Sequence, residues 1–189
     1  MEIPSAEQVQ TEIRRVQLKS RYFKILRSTI YALIITAAVS VLIATLFLPV
    51  LQIHGGSMTP TLVEGDIVVS VKQPAYQPGQ VIAFYYSNKV LVKRIVATQF
   101  DVVDMAADGT ITVNGVPVDE PDLVQKHYGE ATNLEFPYQV PENSYFVVGD
   151  QRDTSVDSRN SNVGCVLQED IVGKILFTVW PLGRFGGID

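Results

Sequence analysis

An uninterrupted apolar run near the N-terminus constrains this chain more than any other feature. Residues 30–51 contain no charged side chain over 22 positions. As a helix they would extend about 33 Å, against a bilayer hydrocarbon core of about 30 Å. A buried core helix would show a polar face, and a cleaved secretory signal would have a shorter apolar region and a small-residue exit. We therefore predict an uncleaved transmembrane helix over residues 30–51.

Charge is distributed unequally on the two sides of this run. Residues 1–29 carry six Lys/Arg and three Asp/Glu, whereas residues 50–189 carry nine and seventeen. Basic flanks are normally retained in the cytoplasm. We therefore expect residues 1–29 to be a cytoplasmic segment, helical over 6–27 from its apolar spacing, and residues 52–189 to form one extracytoplasmic domain. The acidic balance of that domain argues against nucleic acid as a partner.

The sequence after the apolar run has the pattern of short strands separated by turns. Several segments are rich in β-branched or aromatic residues and are bounded by Gly, Pro, Asn or Asp. They predict a mainly β domain with strands at residues 66–71, 81–86, 90–97, 102–105, 110–113, 144–148 and 171–179.

Two turn dipeptides, Asp108-Gly109 and Asn114-Gly115, enclose the alternating residues 110–113. This arrangement predicts a hairpin that projects from the sheet. Residues 119–143 contain prolines and many polar groups, and they predict a long irregular connection.

Ser57 lies six residues beyond the apolar run, in Gly55-Gly56-Ser57-Met58-Thr59-Pro60. A serine hydroxyl is a poor nucleophile unless a base takes its proton and donors stabilise the oxyanion. The glycines permit a tight turn that brings N–H groups near a substrate carbonyl, although Gly-Gly-Ser is equally typical of a flexible junction. Because six extended residues span at most about 20 Å, Ser57 would act close to the bilayer surface.

Lys93 is the candidate base for such a serine. In a strand it would share a face with Leu91 and Ile95, and an apolar setting disfavours the ammonium. Its pKa, ordinarily near 10.4, would have to fall by roughly three units to be useful at neutral pH. Arg94 cannot serve, because a guanidinium is not deprotonated in proteins. The alternative interpretation of Lys93 is an edge-strand lysine that discourages aggregation.

Other residues offer competing chemistry. His54, three residues before Ser57, and His127, in the proline-containing connection, leave a Ser-His-Asp site open in principle. Neither lies in a motif that orients an imidazole, so a surface or boundary role is the expectation for both. Cys165 is the single cysteine, which excludes an intrachain disulfide and a Cys-rich metal site. Beside apolar neighbours it is more typical of a packing residue than of a nucleophile.

A dense polar stretch, residues 149–159 (the polar segment), reads Gly149-Asp150-Gln151-Arg152-Asp153-Thr154-Ser155-Val156-Asp157-Ser158-Arg159. Together with Ser57-Met58-x-Pro60-Thr61 and Lys93-Arg94, in this order, it resembles the bacterial type I signal peptidases. The resemblance extends from the anchor nearly to the C-terminus, and the single anchor is similar to the Gram-positive enzymes. It implies an antiparallel β catalytic domain and a Ser-Lys dyad protease that removes signal peptides from exported preproteins.

The resemblance also assigns roles to residues. Ser57 would be the acyl-accepting nucleophile and Lys93 the general base. Ser155 matches the serine that holds the lysine amine, Asp157 and Arg159 match a pair that buttresses the site, and Asp150 belongs to the same motif. Gly55 stands where some members place an oxyanion-hole serine hydroxyl, so backbone amides, first that of Ser57, should form the hole. Shallow apolar pockets for small residues are implied, with candidate lining residues Ile53, Met58, Leu62, Leu91 and Val92.

Some residues depart from the family pattern. Gln151 replaces the usual Asn, and residues 97–101 replace a Gly-Leu-Pro-Gly-Asp-like stretch, which puts the local turn in question. The resemblance implies no metal and no cofactor, and it implies signal-peptide-bearing preproteins, the lipid bilayer and a secretion translocon as partners.

Rival interpretations are weaker. A self-cleaving repressor-type protease would need a DNA-binding domain in place of the anchor. A sortase would need Cys, His and Arg in its own motifs. A non-enzymatic membrane-tethered β module, or an inactive relative, would leave the polar segment unexplained.

Overall fold

The computed structural model describes residues 6–120, 125–129 and 132–188. The chain divides into two compact units, Met1–Leu46 and Phe47–Asp189. The second unit holds every candidate site residue. Part of the predicted connection over residues 119–143 lies outside the described residues.

One continuous helix, α1, runs from Ala6 to Phe47. Within it, Arg21–Leu42 is long and apolar enough to cross a membrane, which agrees with the expected N-terminal apolar helix. The helix ends four residues before the predicted end of the span, and Val50–Gln52 is already a strand. Pro49 accounts for this difference, because proline disfavours the helical conformation in the residue before it and lacks the N–H that a helix needs.

The second unit is built on a large antiparallel sheet. Its strands lie in the order β1-β2-β11-β3-β4-β9-β10, and β12 pairs with β11. The bounds are β1 Val50–Gln52, β2 Ile67–Val71, β3 Val81–Tyr86, β4 Lys89–Ala97, β9 Ser144–Val148, β10 Val166–Leu167, β11 Ile171–Trp180 and β12 Gly186–Gly187.

A smaller antiparallel sheet has the order β7-β6-β5-β8. Its strands are β5 Val102–Met105, β6 Ile111–Val113, β7 Val116–Pro117 and β8 Tyr138–Gln139. The predicted hairpin is present, and Asn114 and Gly115 both adopt positive φ, at 53° and 81°, as a tight two-residue turn between β6 and β7 requires.

The mainly β prediction is confirmed, and each of the seven predicted strands is found within one residue of its expected ends. Five strands were not predicted: β1, β7, β8, β10 and β12. None of them exceeds three residues. Segments this short carry no readable alternation, since two or three residues cannot define a period.

Among the described residues, three apolar clusters form the core. One of them lies next to Ser57 and contains Ile53, Met58, Leu62, Val68, Val81, Ala83 and Ile175. The other two pack on the remaining surfaces of the large sheet and against the small sheet. The segment that carries Ser57 is therefore fixed to the sheet by its own apolar side chains.

Candidate active site

Ser57 lies in the loop of residues 53–66 (the Ser57 loop), which connects β1 to β2. The base of the loop is closed by two backbone hydrogen bonds: Ile53 N–H donates to Asp66 O at 2.8 Å, and Gly65 N–H donates to Ile53 O at 2.9 Å. Gly55 has a φ of +81°, a conformation that side-chain-bearing residues rarely adopt. The chain thus turns sharply just before Ser57, which leaves the serine half-buried at the loop surface.

Lys93 reaches Ser57 from β4. Its Nζ donates a hydrogen bond to Ser57 Oγ at 2.6 Å, and the residue is 3% exposed. Burial lowers the pKa of Lys93 to about 8; the negative charge of Asp157 opposes this shift, and the positive charge of Arg159 reinforces it. The amine is therefore much closer to deprotonation near neutral pH than an ordinary lysine.

The polar segment packs directly against the backbone of Ser57. Gln151 N–H donates to the Ser57 carbonyl oxygen at 3.1 Å. A Cβ added at Gly149 would lie 2.5 Å from that same oxygen and closer still to Ser155 Oγ. Position 149 therefore requires glycine because of close approach between the two loops rather than because of an unusual φ.

An internal ion pair supports the polar segment. Arg159 Nε donates to Asp157 Oδ1 at 2.8 Å and Arg159 Nη2 to Asp157 Oδ2 at 2.9 Å, and both residues are at most 2% exposed. Gly149 N–H donates to Asp157 Oδ2 at 3.0 Å. Burial by itself raises the pKa of Asp157, but the bonds and charge of Arg159 and the Gly149 N–H outweigh it and lower the pKa below its usual value. The carboxylate is ionised at neutral pH.

A second ion pair lies on the other side of Lys93. Arg94 donates to both carboxylate oxygens of Asp150, each at 2.9 Å. Thr61 Oγ1 donates to Asp150 Oδ2 at 2.5 Å. Asp150 thereby ties β4 and the polar segment to the Ser57 loop.

Ser155 has a less direct place than expected. Its Oγ is buried and makes no hydrogen bond of regular geometry with the residues that the structure describes, but it lies near enough to Asp157 to help lower the pKa of that carboxyl. It contacts the Gly149 backbone, but no bond to Lys93 Nζ is formed in this part of the chain. A role for Ser155 in holding the amine stays a prediction.

The predicted pocket residues divide between two surfaces. Ile53, Met58 and Leu62 are buried in the core cluster beside Ser57, and Val92 packs against that cluster. Leu91 instead packs with a different cluster, as expected for a neighbour on a strand. Leu62 is 0% exposed, so in this structure it lies beneath the surface rather than on a pocket wall.

His54, His127 and Cys165, the alternative candidates for catalysis, have contacts of their own away from the Ser57 hydroxyl. His54 Nδ1 is 3.1 Å from Gln52 O, and His127 Nδ1 accepts from Gly129 N–H at 3.0 Å. Neither histidine bonds to Ser57 within the described ranges. Burial raises the pKa of the Cys165 thiol to about 11, and the side chain packs against the small-sheet cluster, so the thiol is protonated at neutral pH.

Sequence reasoning missed four residues that shape the site. Gly149, Thr61 and Arg94 stood within the recognised motifs, but only the folded contacts show what they do. No sequence pattern points to Arg184, because it lies far from every motif. Its guanidinium bonds to Asp66 and to the carbonyl oxygens of Pro60 and Thr61.

Comparison with known proteins places this geometry in a family. Residues 26–180 match the family described as signal peptidase, peptidase S26. Signal peptidase I of Bacillus licheniformis is 30% identical over 191 residues, which cover 95% of this chain and all of that protein. Signal peptidase I S of Bacillus subtilis (strain 168) is 32% identical over 164 residues, or 81% of this chain and 88% of that protein.

A solved structure gives a related match. The crystal structure of a signal peptidase I from Enterococcus faecalis V583 is 30% identical, covers 53% of this chain and 96% of its own, and superposes with a TM-score of 0.45. The family match spans most of the chain, and the Bacillus licheniformis relative aligns over its full length. The chain therefore belongs to the signal peptidase family, peptidase S26, and is a serine endopeptidase of the signal peptidase I type.

Proposed function

We propose that this signal peptidase cleaves preproteins through an acyl-enzyme on Ser57, with Lys93 as the general base. The observation that carries the proposal is the 2.6 Å contact between Lys93 Nζ and Ser57 Oγ, made by a buried amine whose pKa is about 8. No other titratable side chain of the described residues bonds to the Ser57 hydroxyl.

In the acylation step, the neutral Lys93 amine takes the Ser57 proton as Oγ attacks the scissile carbonyl carbon. The carbon–nitrogen bond then breaks, and the ammonium returns the proton to the leaving amine. Lys93, neutral again, activates the water that hydrolyses the ester. With a pKa of about 8, about a tenth of the enzyme holds a neutral lysine at pH 7.

The oxyanion of this reaction needs donors that are already in place. The Ser57 N–H is the first candidate, because none of the described residues accepts a hydrogen bond from it and it lies in the turn formed by Gly55 and Gly56. A backbone donor is consistent with glycine at position 55, where a side chain is conformationally disfavoured.

Specificity for small residues at the first and third positions before the cleaved bond is part of the proposal. Ile53, Met58 and Val92 lie in one apolar cluster with the start of the Ser57 loop. Ile53 and Met58 are almost completely buried, so little depth is open beside Ser57, which suits the small residues of Ala-x-Ala.

The membrane arrangement completes the proposal. The apolar part of α1, which begins at residue 30, crosses the bilayer, the basic segment of residues 1–29 stays in the cytoplasm, and the catalytic domain faces outward; the length and apolar content of the helix support this arrangement. Signal peptides held in the same membrane, delivered by a secretion translocon, would present their cleavage sites near its outer surface. The plasma membrane is the proposed location.

The test is cleavage of a preprotein with an Ala-x-Ala site by detergent-solubilised, full-length protein. We expect Ser57→Ala and Lys93→Ala to lose at least 10³-fold in kcat/KM, because removal of the nucleophile or base of a catalytic unit costs about that much or more. His127→Ala and the exposed-strand control Lys89→Ala should retain activity. Activity retained by Lys93→Ala together with loss in His127→Ala would overturn the dyad.

A further inference from the structure

A single arginine joins the C-terminal tail to the Ser57 loop. After β11 the chain enters a short 3₁₀ helix, Leu182–Arg184, and β12 then folds back on β11 through pairing of Gly186 with Thr178. This hook places Arg184 against a loop 118 residues away in sequence.

The Arg184 guanidinium makes three bonds that span the loop. Nε donates to Asp66 Oδ2 at 3.1 Å, and Nη2 donates to Pro60 O at 3.1 Å and to Thr61 O at 3.0 Å. Asp66 is 2% exposed and also accepts from Val63 N–H at 2.9 Å. One planar fork thus links the base of the loop to the turn that follows Ser57, a geometry that the single ammonium of lysine cannot reproduce.

We propose that Arg184 is a positioning residue that keeps Ser57 Oγ within reach of Lys93. The proposal rests on the roles proposed above for Ser57 and Lys93. Pro60 and Thr61 follow the serine by three and four residues, and Thr61 is also bound through its side chain to Asp150. The Ser57 loop is thus restrained at two places. The polar segment holds it through Asp150, and the C-terminal tail holds it through Arg184.

Loss of this restraint should change the pKa of Lys93, which a simple loss of folding stability would not do. Ser57 covers the Lys93 amine through their 2.6 Å contact, and burial is the main cause of the low pKa of Lys93. A looser loop admits water to the amine, so the pKa of Lys93 rises. A partly unfolded population would lower the rate only in proportion to the folded fraction, which an unfolding measurement at the same pH gives, and would leave the pKa of Lys93 in the folded molecules unchanged.

The experiment compares full-length wild type with Arg184→Ala and Arg184→Lys in detergent, using preprotein cleavage from pH 6 to 10. For Arg184→Ala we expect kcat to fall about tenfold with little change in KM, since small misplacements of reacting groups cost this much or more. The acidic limb of the pH–rate profile should move to higher pH. Arg184→Lys should fall between wild type and Arg184→Ala in both respects.

Two controls keep the result interpretable. Lys72→Ala removes an exposed positive charge from the same domain, and Val103→Ala lowers Tm through a fully buried side chain of the small sheet. An Arg184→Ala profile with the wild-type acidic limb, as expected for Val103→Ala, would overturn the positioning role. If Ser57→Ala and Lys93→Ala are inactive while Arg184→Ala keeps the wild-type acidic limb, only the positioning role of Arg184 is rejected. If Ser57→Ala and Lys93→Ala are active, the Ser57–Lys93 dyad is rejected as well.

Discussion

The Ser57 loop and the polar segment meet at the candidate catalytic pair, but different forces hold them. The polar segment is stabilised by ion pairs of buried side chains, one within the segment, Asp157–Arg159, and others to neighbouring elements, such as Asp150–Arg94. Its almost completely buried side chains are Asp150, Arg152, Ser155, Asp157, Ser158 and Arg159. In the Ser57 loop, His54, Gly55 and Gly56 are exposed. That loop is held by three apolar side chains, Ile53, Met58 and Leu62, and by bonds from distant segments.

This difference separates stability from activity. Buried charges are tolerated only while they are paired, so a single change in the polar segment leaves an uncompensated charge inside the domain. The Ser57 loop contains one buried carboxylate, Asp66, which keeps a bond from Val63 N–H as well as its bonded partner Arg184. Its other bonds, to the polar segment and from Arg184 to backbone oxygens, mainly fix a position. We expect changes in the polar segment to weaken folding first, and changes at the loop contacts to reduce turnover first.

The largest effect is expected for Arg159→Ala. This change leaves the Asp157 carboxylate buried without its bidentate partner, which costs about 3–5 kcal/mol. Thermal or denaturant unfolding of the detergent-solubilised protein measures the loss. Because Asp157 then loses the partner that keeps its pKa low, the remaining stability should fall further as pH rises toward neutrality and the carboxyl ionises.

The matched control removes both charges. Asp157→Ala with Arg159→Ala leaves a cavity but no unpaired ion, so the double variant should be more stable than Arg159→Ala alone. Equal or lower stability of the double variant would show that packing volume, not charge pairing, holds the polar segment together.

A second, smaller effect has the opposite sign. Lys93→Met should abolish cleavage yet raise the free energy of unfolding at pH 7 by about 2 kcal/mol, the cost of the pKa shift less one lost hydrogen bond. The folded-state pKa, about 8, lies below that of the unfolded chain. The cost of burying the ammonium is therefore complete below pH 8 and fades as pH rises toward 10.5.

Unfolding measured from pH 6 to 11 tests this expectation. The stability gain of Lys93→Met should be greatest at the acidic end, vanish between about pH 9.5 and 10, and give way above about pH 10.5 to a net loss of the one hydrogen bond, about 1 kcal/mol. Lys89→Met, on the exposed beginning of the same strand, should show no pH-dependent gain. A pH-independent difference for Lys93→Met would mean that the lysine titrates normally in the folded protein.

Much of this domain can be predicted from sequence because its long strands and its polar motif are local signals. The strands that contain Lys93 and Ile175 are nine and ten residues long and rich in β-branched residues, and their apolar content suffices to identify them. Ser57 and Lys93 could be paired in advance only because the motifs resemble a known family. Their 2.6 Å contact depends on β11, which lies far from both in sequence and pairs with β2 on one side and with β3 on the other.

Contacts between distant segments could not be predicted, since no period or motif encodes them. Arg184 sits in a short 3₁₀ turn without any pattern, and its three acceptors are mostly backbone oxygens that any sequence provides. The inward burial of Leu62 was missed for a related reason. A leucine near a nucleophile has the same sequence appearance whether it lines a pocket or lies in the core beneath it.

The smallest change in stability is expected for Gly149→Ala, at the contact between the polar segment and the Ser57 loop. This variant should also separate an effect on stability from an effect on turnover. The new Cβ would lie 2.5 Å from Ser57 O, so the Ser57 loop must shift away from the polar segment. Overpacking of this kind costs about 1–2 kcal/mol, whereas displacement of the nucleophile lowers kcat by up to about 10²-fold. Preprotein cleavage and thermal unfolding of the same sample give both numbers.

Gly183→Ala is the matched control, because a Cβ there meets nothing within 4 Å, and it should leave both quantities near wild type. If Gly149→Ala instead lost several kcal/mol of stability and kept normal turnover in its folded fraction, the loop contact would be part of the folding core. The Ser57 loop and the polar segment would then both contribute mainly to stability, and the proposed difference between them would be wrong. The added methyl group does not replace the Gly149 N–H that bonds to Asp157. It meets both Ser57 O and the Ser155 side chain, so the test probes the packing of the polar segment around Ser57 rather than the buried ion pair.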